Sequence, residues 1–304
     1  MTFRAAVVQD SPVLFDLKLT IDKVETITKE ASTNGASLVV FPEAFISAYP
    51  KGLNFGAKIG SRTPEGRKEF LQYYNSSLDF TSSEFEKLLN IAKKNKVFLV
   101  IGVIEKSSGT LYCTILHISD KGTLLCKHRK VMPTAAERLV WGFGDGSTLK
   151  TAKTRLGVLG SVICWENYMP MMRMAMYNQG IELYCAPTAD DRETWISTVR
   201  HIALEGRCFV FSSCQFFTKN DYPTNFKISK DLENEVIMKG GSCIISPLGK
   251  VLADAGNDKR TIIYSDINLN EIIEGKYDFD VVGHYSRPDI FKLKVNKKPK
   301  KPVI

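Results

Sequence analysis

Gly157-Val158-Leu159-Gly160-Ser161-Val162-Ile163-Cys164-Trp165-Glu166-Asn167-Tyr168-Met169-Pro170 is the stretch on which the reading turns. Its first half is a short apolar run rich in β-branched residues, which predicts a buried strand over Val158 to Ile163. The Pro and the Met-rich stretch behind it predict a helix from Pro170 to Gln179, stopped by Gly180. Cys164 therefore sits at a strand-to-helix corner. A thiol at such a corner faces backbone amides, a setting that lowers its pKa and makes it a nucleophile. The competing reading is a small buried hydrophobe, the state of most free cysteines.

Two further strand ends carry charge. Ala36-Ser37-Leu38-Val39-Val40-Phe41-Pro42-Glu43 is a strand that stops at a Pro and presents a carboxylate. Leu124 to Lys130 is a strand that runs into Pro133, Thr134 and a second acid, Glu137. Strand ends of layered α/β proteins tend to converge on one face. Glu43, Lys130 and Cys164 delivered together would form a base, a cation and a nucleophile.

Outward from these motifs, strands and helices alternate. Ile21, Val24, Ile27 and Ala31 share one helix face that Asn34-Gly35 closes. Ser82 or Ser83 caps a helix bearing Phe85, Leu88, Leu89 and Ala92. Leu111 to Ile118 and Thr123 to Lys130 form a hairpin around Ser119-Asp120-Lys121-Gly122. Trp195 to Glu205 reads as a helix, and Asn268 to Gly275 as a short one. Residues 53 to 80 and 218 to 240 read as loops. The pattern argues for sheets covered by helices, and periodicity alone goes no further.

Composition narrows the classes. With 304 residues, 44% of them hydrophobic, the chain can bury a large core, and no linker interrupts it. The longest apolar run, Val97 to Ile104, is too short to cross a bilayer, and Met1 to Asp10 lacks the apolar stretch of a secretory signal. Seven cysteines, an odd number without paired spacing, suggest neither a zinc site nor a disulfide framework, and point to the cytoplasm. No cluster implies a metal and no Gly-rich loop implies a nucleotide, so no cofactor is expected. The net charge of +8 falls to +2 without residues 292–304, which hold six lysines and no acid. The excess is thus read as a solvated, disordered basic tail behind a single domain over 1–291, and not as a nucleic-acid surface. Deleting that tail is expected to leave catalysis intact.

The chain resembles the nitrilases, a branch of the carbon–nitrogen hydrolase superfamily. The resemblance rests on Phe41-Pro42-Glu43-Ala44-Phe45, on His128-Arg129-Lys130 with Pro133-Thr134 and Glu137-Arg138, and on Cys164 through Pro170. Trp141-Gly142, Gly144 to Ser147, Glu182 to Asp190 and His201 to Gly206 agree with it, in family order, from about Phe3 to Asp289. It implies an α-β-β-α four-layer sandwich, assembled as a homo-oligomer (a dimer or a larger spiral). It implies a nitrile as small-molecule substrate, hydrolysed to acid and ammonia through a Cys164 thioimidate and thioester. Glu43 would be the general base and Lys130 the cation stabilising developing charge. Glu137 would pair with Lys130, and the Trp165 N–H would be a second donor. Tyr49 with Pro50, Trp165, Thr188 and Trp195 are candidates for the substrate pocket, with core packing as the alternative for each. His128 either bonds near the site or supports its loop, while His117 and His201 read as structural. A cyanide hydratase, an amide hydrolase and a non-catalytic assembly protein are the alternatives.

Overall fold

The computed structural model describes residues 2–226 and 235–300. The first sheet takes strands β1 (Thr2–Gln9), β2 (Ala36–Val40), β3 (Phe98–Ser107), β4 (Thr110–Ile118), β5 (Leu124–Arg129) and the late strand β14 (Thr261–Asn268). The second takes β6 (Ala152–Thr154), β7 (Gly157–Ser161), β8 (Leu183–Cys185), β9 (Phe209–Ser212), β12 (Cys243–Ile245) and β13 (Val251–Asp254). Strand order is β14-β1-β2-β3-β4-β5 in the first and β13-β12-β9-β8-β7-β6 in the second. In each sheet the central pairs are parallel, β1/β2/β3 and β7/β8/β9, and the flanking pairs antiparallel. A separate antiparallel pair, β10 (Phe216–Thr218) and β11 (Val236–Lys239), stands beside them.

Alternation along the strands places the layers. Val7, Leu38, Val40, Val100 and Ile115 pack with Leu159, Leu183, Phe209 and Phe211 in one core between the sheets. Their neighbours Ala6, Val8, Val39 and Leu99 point the other way. There they meet α1 (Leu17–Thr33) through Ile21, Val24, Ile27 and Ala31, and α3 (Ser83–Asn95) through Phe85, Leu88 and Ile91. Tyr184, Val210, Cys243 and Ile245 leave the second sheet outward. They meet α4 (Pro170–Tyr177) through Met172 and Met176, and α5 (Trp195–Gly206) through Val199 and Ile202. The central strands of each sheet are buried on both faces, so β2, β3, β8 and β9 read as largely apolar runs. The result is an α-β-β-α four-layer sandwich.

Several boundaries differ from the sequence reading. The stretch 53–80 contains a helix, α2 (Pro64–Asn75), capped by Thr63, whose hydroxyl accepts from Gly66 N at 3.0 Å. Its only buried residues are Gly66 and Tyr73, so it has no apolar stripe to find. In the stretch 218–240, β11 replaces part of the expected loop, and residues 227–234 lie outside the described ones. The helix behind Cys164 starts at Pro170 as expected, but a 3-10 turn over Cys164–Tyr168 precedes it. α6 (Asn270–Asp278) runs later than expected. Residues 292–300 form no helix or strand; Val295 packs on the outer core, and Lys300 N donates to Asp145 Oδ2 at 2.7 Å. Residues 301–304 lie outside the described residues. Among the described residues, no helix is long and apolar enough to cross a membrane.

Candidate active site

Glu43 is placed by the close approach of two backbones. Beyond β2 the chain runs along β3, with Phe41 N donating to Val100 O at 2.8 Å and Ile46 N to Gly102 O at 3.0 Å. Gly102 makes this possible, because a Cβ there would lie 2.2 Å from Pro42 O and 2.7 Å from Glu43 Cα. Ala44, Ser47 and Ala48 then take positive φ, at 50°, 88° and 81°. Gln215 Nε2 donates to Glu43 O at 2.8 Å and holds the turn from the second sheet's side.

Lys130 follows the last residue of β5, and its N–H donates to Cys113 O at 2.8 Å. Its side chain is wholly buried, and its ammonium donates to Glu43 Oε1 at 2.7 Å and to Glu137 Oε2 at 2.8 Å. Glu137 lies in a 3-10 turn, Ala135–Leu139, where its Oε2 also accepts from Thr134 N at 2.7 Å. Its Oε1 accepts from the Tyr49 hydroxyl at 2.7 Å.

Cys164 opens its turn with φ 49° and is 4% exposed. Its N–H donates to Pro187 O at 2.9 Å, and its Sγ accepts from the Thr188 hydroxyl at 3.2 Å and from the Ala189 N–H. It opens on a cavity of ≈ 200 Å³ whose lining includes Tyr49, Thr134, Glu137, Trp165 and Ala189. A larger groove of ≈ 610 Å³ runs past the start of α1 and along α2, and none of these groups line it.

Burial governs the charges. It raises the Glu43 carboxyl above the ordinary range, against the opposing pull of Lys130, and the Glu137 charge adds to the rise. Lys130 suffers desolvation too, but Glu43, Cys164 and Glu137 surround it, and its pKa ends well above that of a free lysine. The thiol behaves contrary to the sequence-based expectation of a lowered pKa. Burial, then the charge of Glu43, push Cys164 up to about 12, although Lys130, Thr188 and Ala189 pull it down. The resting site thus carries a thiol and an ammonium beside the carboxyl groups of Glu43 and Glu137. One oxygen of that set, Glu43 Oε2, is buried without a close hydrogen bond among the described residues, and the Cys164 thiol is the group that interacts with the Glu43 carboxyl from the second sheet.

The candidates from sequence therefore divide. Glu43, Lys130, Glu137, Cys164, Thr188 and Tyr49 come together. Trp165 lines the cavity mouth, 42% exposed, with Nε1 donating to Asp190 Oδ2 at 2.8 Å and the Arg192 guanidinium 4.9 Å from its ring. Trp195 lies elsewhere: it is buried in the outer core, with Nε1 donating to Ser212 Oγ at 2.8 Å. His128 supports the loop, its Nε2 lying 2.9 Å from Glu166 Oε2 and its Nδ1 3.3 Å from Thr148 Oγ1. Sequence reasoning missed Cys113, whose Sγ donates to Glu43 Oε1 at 3.5 Å, because it reads as one apolar residue of a strand. It also missed Lys51 and Asp191, paired at 2.9 Å beside the mouth, which carry no local signal. Among the described residues, no group of His, Cys, Asp and Glu could hold a metal ion.

Known proteins share this fold and much of this sequence. A family model described as carbon-nitrogen hydrolase matches residues 4–277. An aliphatic nitrilase of Sinorhizobium fredii (strain HH103) is 54% identical, over 99% of this chain and 98% of that one. A bifunctional nitrilase/nitrile hydratase of Lupinus angustifolius is 50% identical, over 99% of this chain and 88% of that one. A solved carbon-nitrogen hydrolase from Helicobacter pylori G27 superposes with a TM-score of 0.75 over 95% of this chain and 97% of that one, at 20% identity, a likeness of fold. With a family model matching residues 4–277 and relatives half identical along nearly its whole length, the chain belongs to the carbon–nitrogen hydrolase family and, within it, to the nitrilases.

Proposed function

We propose that this protein hydrolyses a small-molecule nitrile to the carboxylic acid and ammonia, with Cys164 as nucleophile, Glu43 as general base, and Lys130 and Glu137 as the charged frame. One observation carries the reading. A buried ammonium bridges two carboxylates at 2.7 and 2.8 Å beside a buried thiol, at a cavity of ≈ 200 Å³. Nitrilase relatives at about half identity support it.

A nitrile carbon is a weak electrophile, so the thiol must lose its proton as it attacks. With the thiol near 12 the site holds no stable thiolate. Transfer of the Sγ proton to Glu43 is therefore coupled to formation of the S–C bond. Desolvation helps, because the same burial that raises the thiol makes the Glu43 carboxylate a stronger base. One π pair of the C≡N bond moves to nitrogen, where Lys130 and the Trp165 N–H face the negative charge. Glu43 returns its proton to that nitrogen, giving the thioimidate. A water, deprotonated by Glu43, adds to the carbon. Nitrogen takes that proton back from Glu43 and a second one from the new hydroxyl, the C–N bond breaks as the C=O bond forms, and ammonia leaves a thioester. A second water adds by the same route, the C–S bond breaks, and the acid and the thiol are released.

Cys164→Ala tests this directly: the variant is expected to fold and to release no ammonia from any nitrile in a panel. Turnover at the parent rate would refute it. The name of the lupin relative favours a second outcome on the same residues, release of an amide when sulfur leaves before nitrogen. The acid-to-amide ratio from one nitrile separates the two. We assign the hydrolase domain to residues 1–291, place it in the cytoplasm on the strength of seven free cysteines, and take it as a homo-oligomer. Exposed Leu204 and Leu248 on the outer side of the second sheet support the last point, and sedimentation tests it.

A further inference from the structure

The catalytic groups are divided between the layers. Glu43 and Lys130 continue strands of the first sheet, and Cys164 and Thr188 continue strands of the second. The apolar core between the sheets holds them together, but hydrophobic attraction has no direction. A working site needs its groups placed to within about half an ångström. Something directional must fix one layer against the other close to the site.

Glu166 meets that need. Its side chain is wholly buried, and both its oxygens are engaged. Oε1 accepts from the N–H of Val131, the residue after Lys130, at 2.5 Å. Oε2 accepts from the N–H of Ile163, the residue before Cys164, at 3.0 Å. Oε2 also meets His128 Nε2 at 2.9 Å, on the strand that delivers Lys130. His128 in turn lies 3.3 Å from Thr148 Oγ1, which accepts from Arg129 N at 3.2 Å. One carboxylate thus grips the backbone immediately beside the lysine and immediately beside the cysteine. Other bonds cross between the sheets, among them His117 to Ser161 at 2.8 Å and Ser213 to Val8 O at 2.6 Å. Those two do not touch the neighbours of both reacting groups.

We infer that Glu166 is a positioning residue for the reaction: it sets the Lys130 ammonium against the Cys164 sulfur by tying their flanking amides across the two sheets, with His128 as its brace. The inference rests on the proposed roles of Lys130 and Cys164. Glu166 touches no substrate, and its effect passes through backbone. Charge-assisted bonds of this kind are short and directional, and a glutamine cannot replace them. It keeps one acceptor and turns an NH₂ toward an N–H that then has no partner.

The test is Glu166→Gln and His128→Asn, each compared with the parent for kcat and KM on one nitrile and for the rate at which iodoacetamide alkylates Cys164. Alkylation needs the sulfur but not the charge on nitrogen that Lys130 faces. For Glu166→Gln, kcat is expected to fall about 100-fold, with KM within about threefold of the parent and the alkylation rate falling by less than kcat, about tenfold at most, because Lys130 also pulls the thiol down. For His128→Asn, which leaves both backbone bonds, a fall of about tenfold is expected with the same split. Parent kcat in Glu166→Gln overturns the inference, and so does a fall in kcat matched step for step by alkylation. If Glu166→Gln fails to fold, His128→Asn decides: parent kcat there overturns the inference as well. Failure of the proposed reaction itself would show separately, as ammonia release by Cys164→Ala.

Discussion

Removing one hydroxyl beside Cys164, the proposed nucleophile, is expected to slow the enzyme without altering its shape. Thr188 donates to Cys164 Sγ at 3.2 Å and is one of the groups that draw the thiol down from the value burial imposes. Thr188→Val keeps the branched outline and deletes the donor. A hydrogen bond to a charged acceptor contributes about 1.5–3 kcal/mol. One pKa unit corresponds to about 1.4 kcal/mol, so the thiol should rise by about one to two units. With the parent thiol at about 12, the thiolate fraction at pH 8 is on the order of one in 10⁴. It would drop a further 10- to 100-fold, and alkylation of Cys164, which goes through the thiolate, should fall by that factor; kcat, whose proton transfer to Glu43 is coupled to attack, should fall in the same direction by no more than that. The assay is the rate of iodoacetamide addition to Cys164 at pH 8, followed by mass spectrometry beside nitrile turnover. Asp190 N also donates to Thr188 Oγ1, at 2.9 Å, so Thr188→Ser is the control that keeps both bonds and should stay within about threefold. Parent-rate alkylation in the valine variant would refute the reasoning, because the hydroxyl would then have no hold on the sulfur.

Two further outcomes follow from burial. His117 lies wholly inside, and burial, then the nearby His128, lower its pKa to about 4. Its neutral form is the one the fold accepts, so its contribution is complete above pH 6.5 and is lost as pH falls toward 4. Over that window urea unfolding should show a loss of about 3 kcal/mol that His117→Gln largely abolishes; an unchanged slope in the variant would sink the assignment. Gly102→Ala would place a Cβ 2.2 Å from Pro42 O and 2.5 Å from Ala44 N. The Glu43 turn must move, and turnover should fall more than 100-fold with a melting point several degrees lower. Parent activity would show that the turn has room to spare.

Much of the frame is legible in the chain because periodicity and burial agree. Ile21, Val24, Ile27 and Ala31 mark one side of a helix, and that side meets the first sheet. The hairpin of β4 and β5 announces itself by the Gly-containing turn between two apolar runs. The three strand ends that carry Glu43, Lys130 and Cys164 are legible by their motifs, and they do meet. What escaped has little local signal. α2 buries only two residues, so its cap and its Pro are the only marks it leaves. Cys113, Lys51 and Asp191 gain their places from contacts between segments distant in the chain. Trp195 stands close to Thr188 in sequence, yet its side chain turns into the outer core, where Ser212 satisfies its N–H. The thiol was misjudged for the same reason: a corner suggests amides and cations, whereas the depth of the site is set by layers no local pattern displays.

The left-handed backbone at Cys164, and at Ala44, Ser47 and Ala48 around the turn that carries Glu43, has a price in the folding equilibrium. Glycine would sit in each of these conformations more cheaply, by about 1 kcal/mol or more per residue. At position 164 glycine would also be inert. The polypeptide therefore keeps a costly backbone conformation at four positions that glycine would relieve, and the packing of the rest of the fold must offset it.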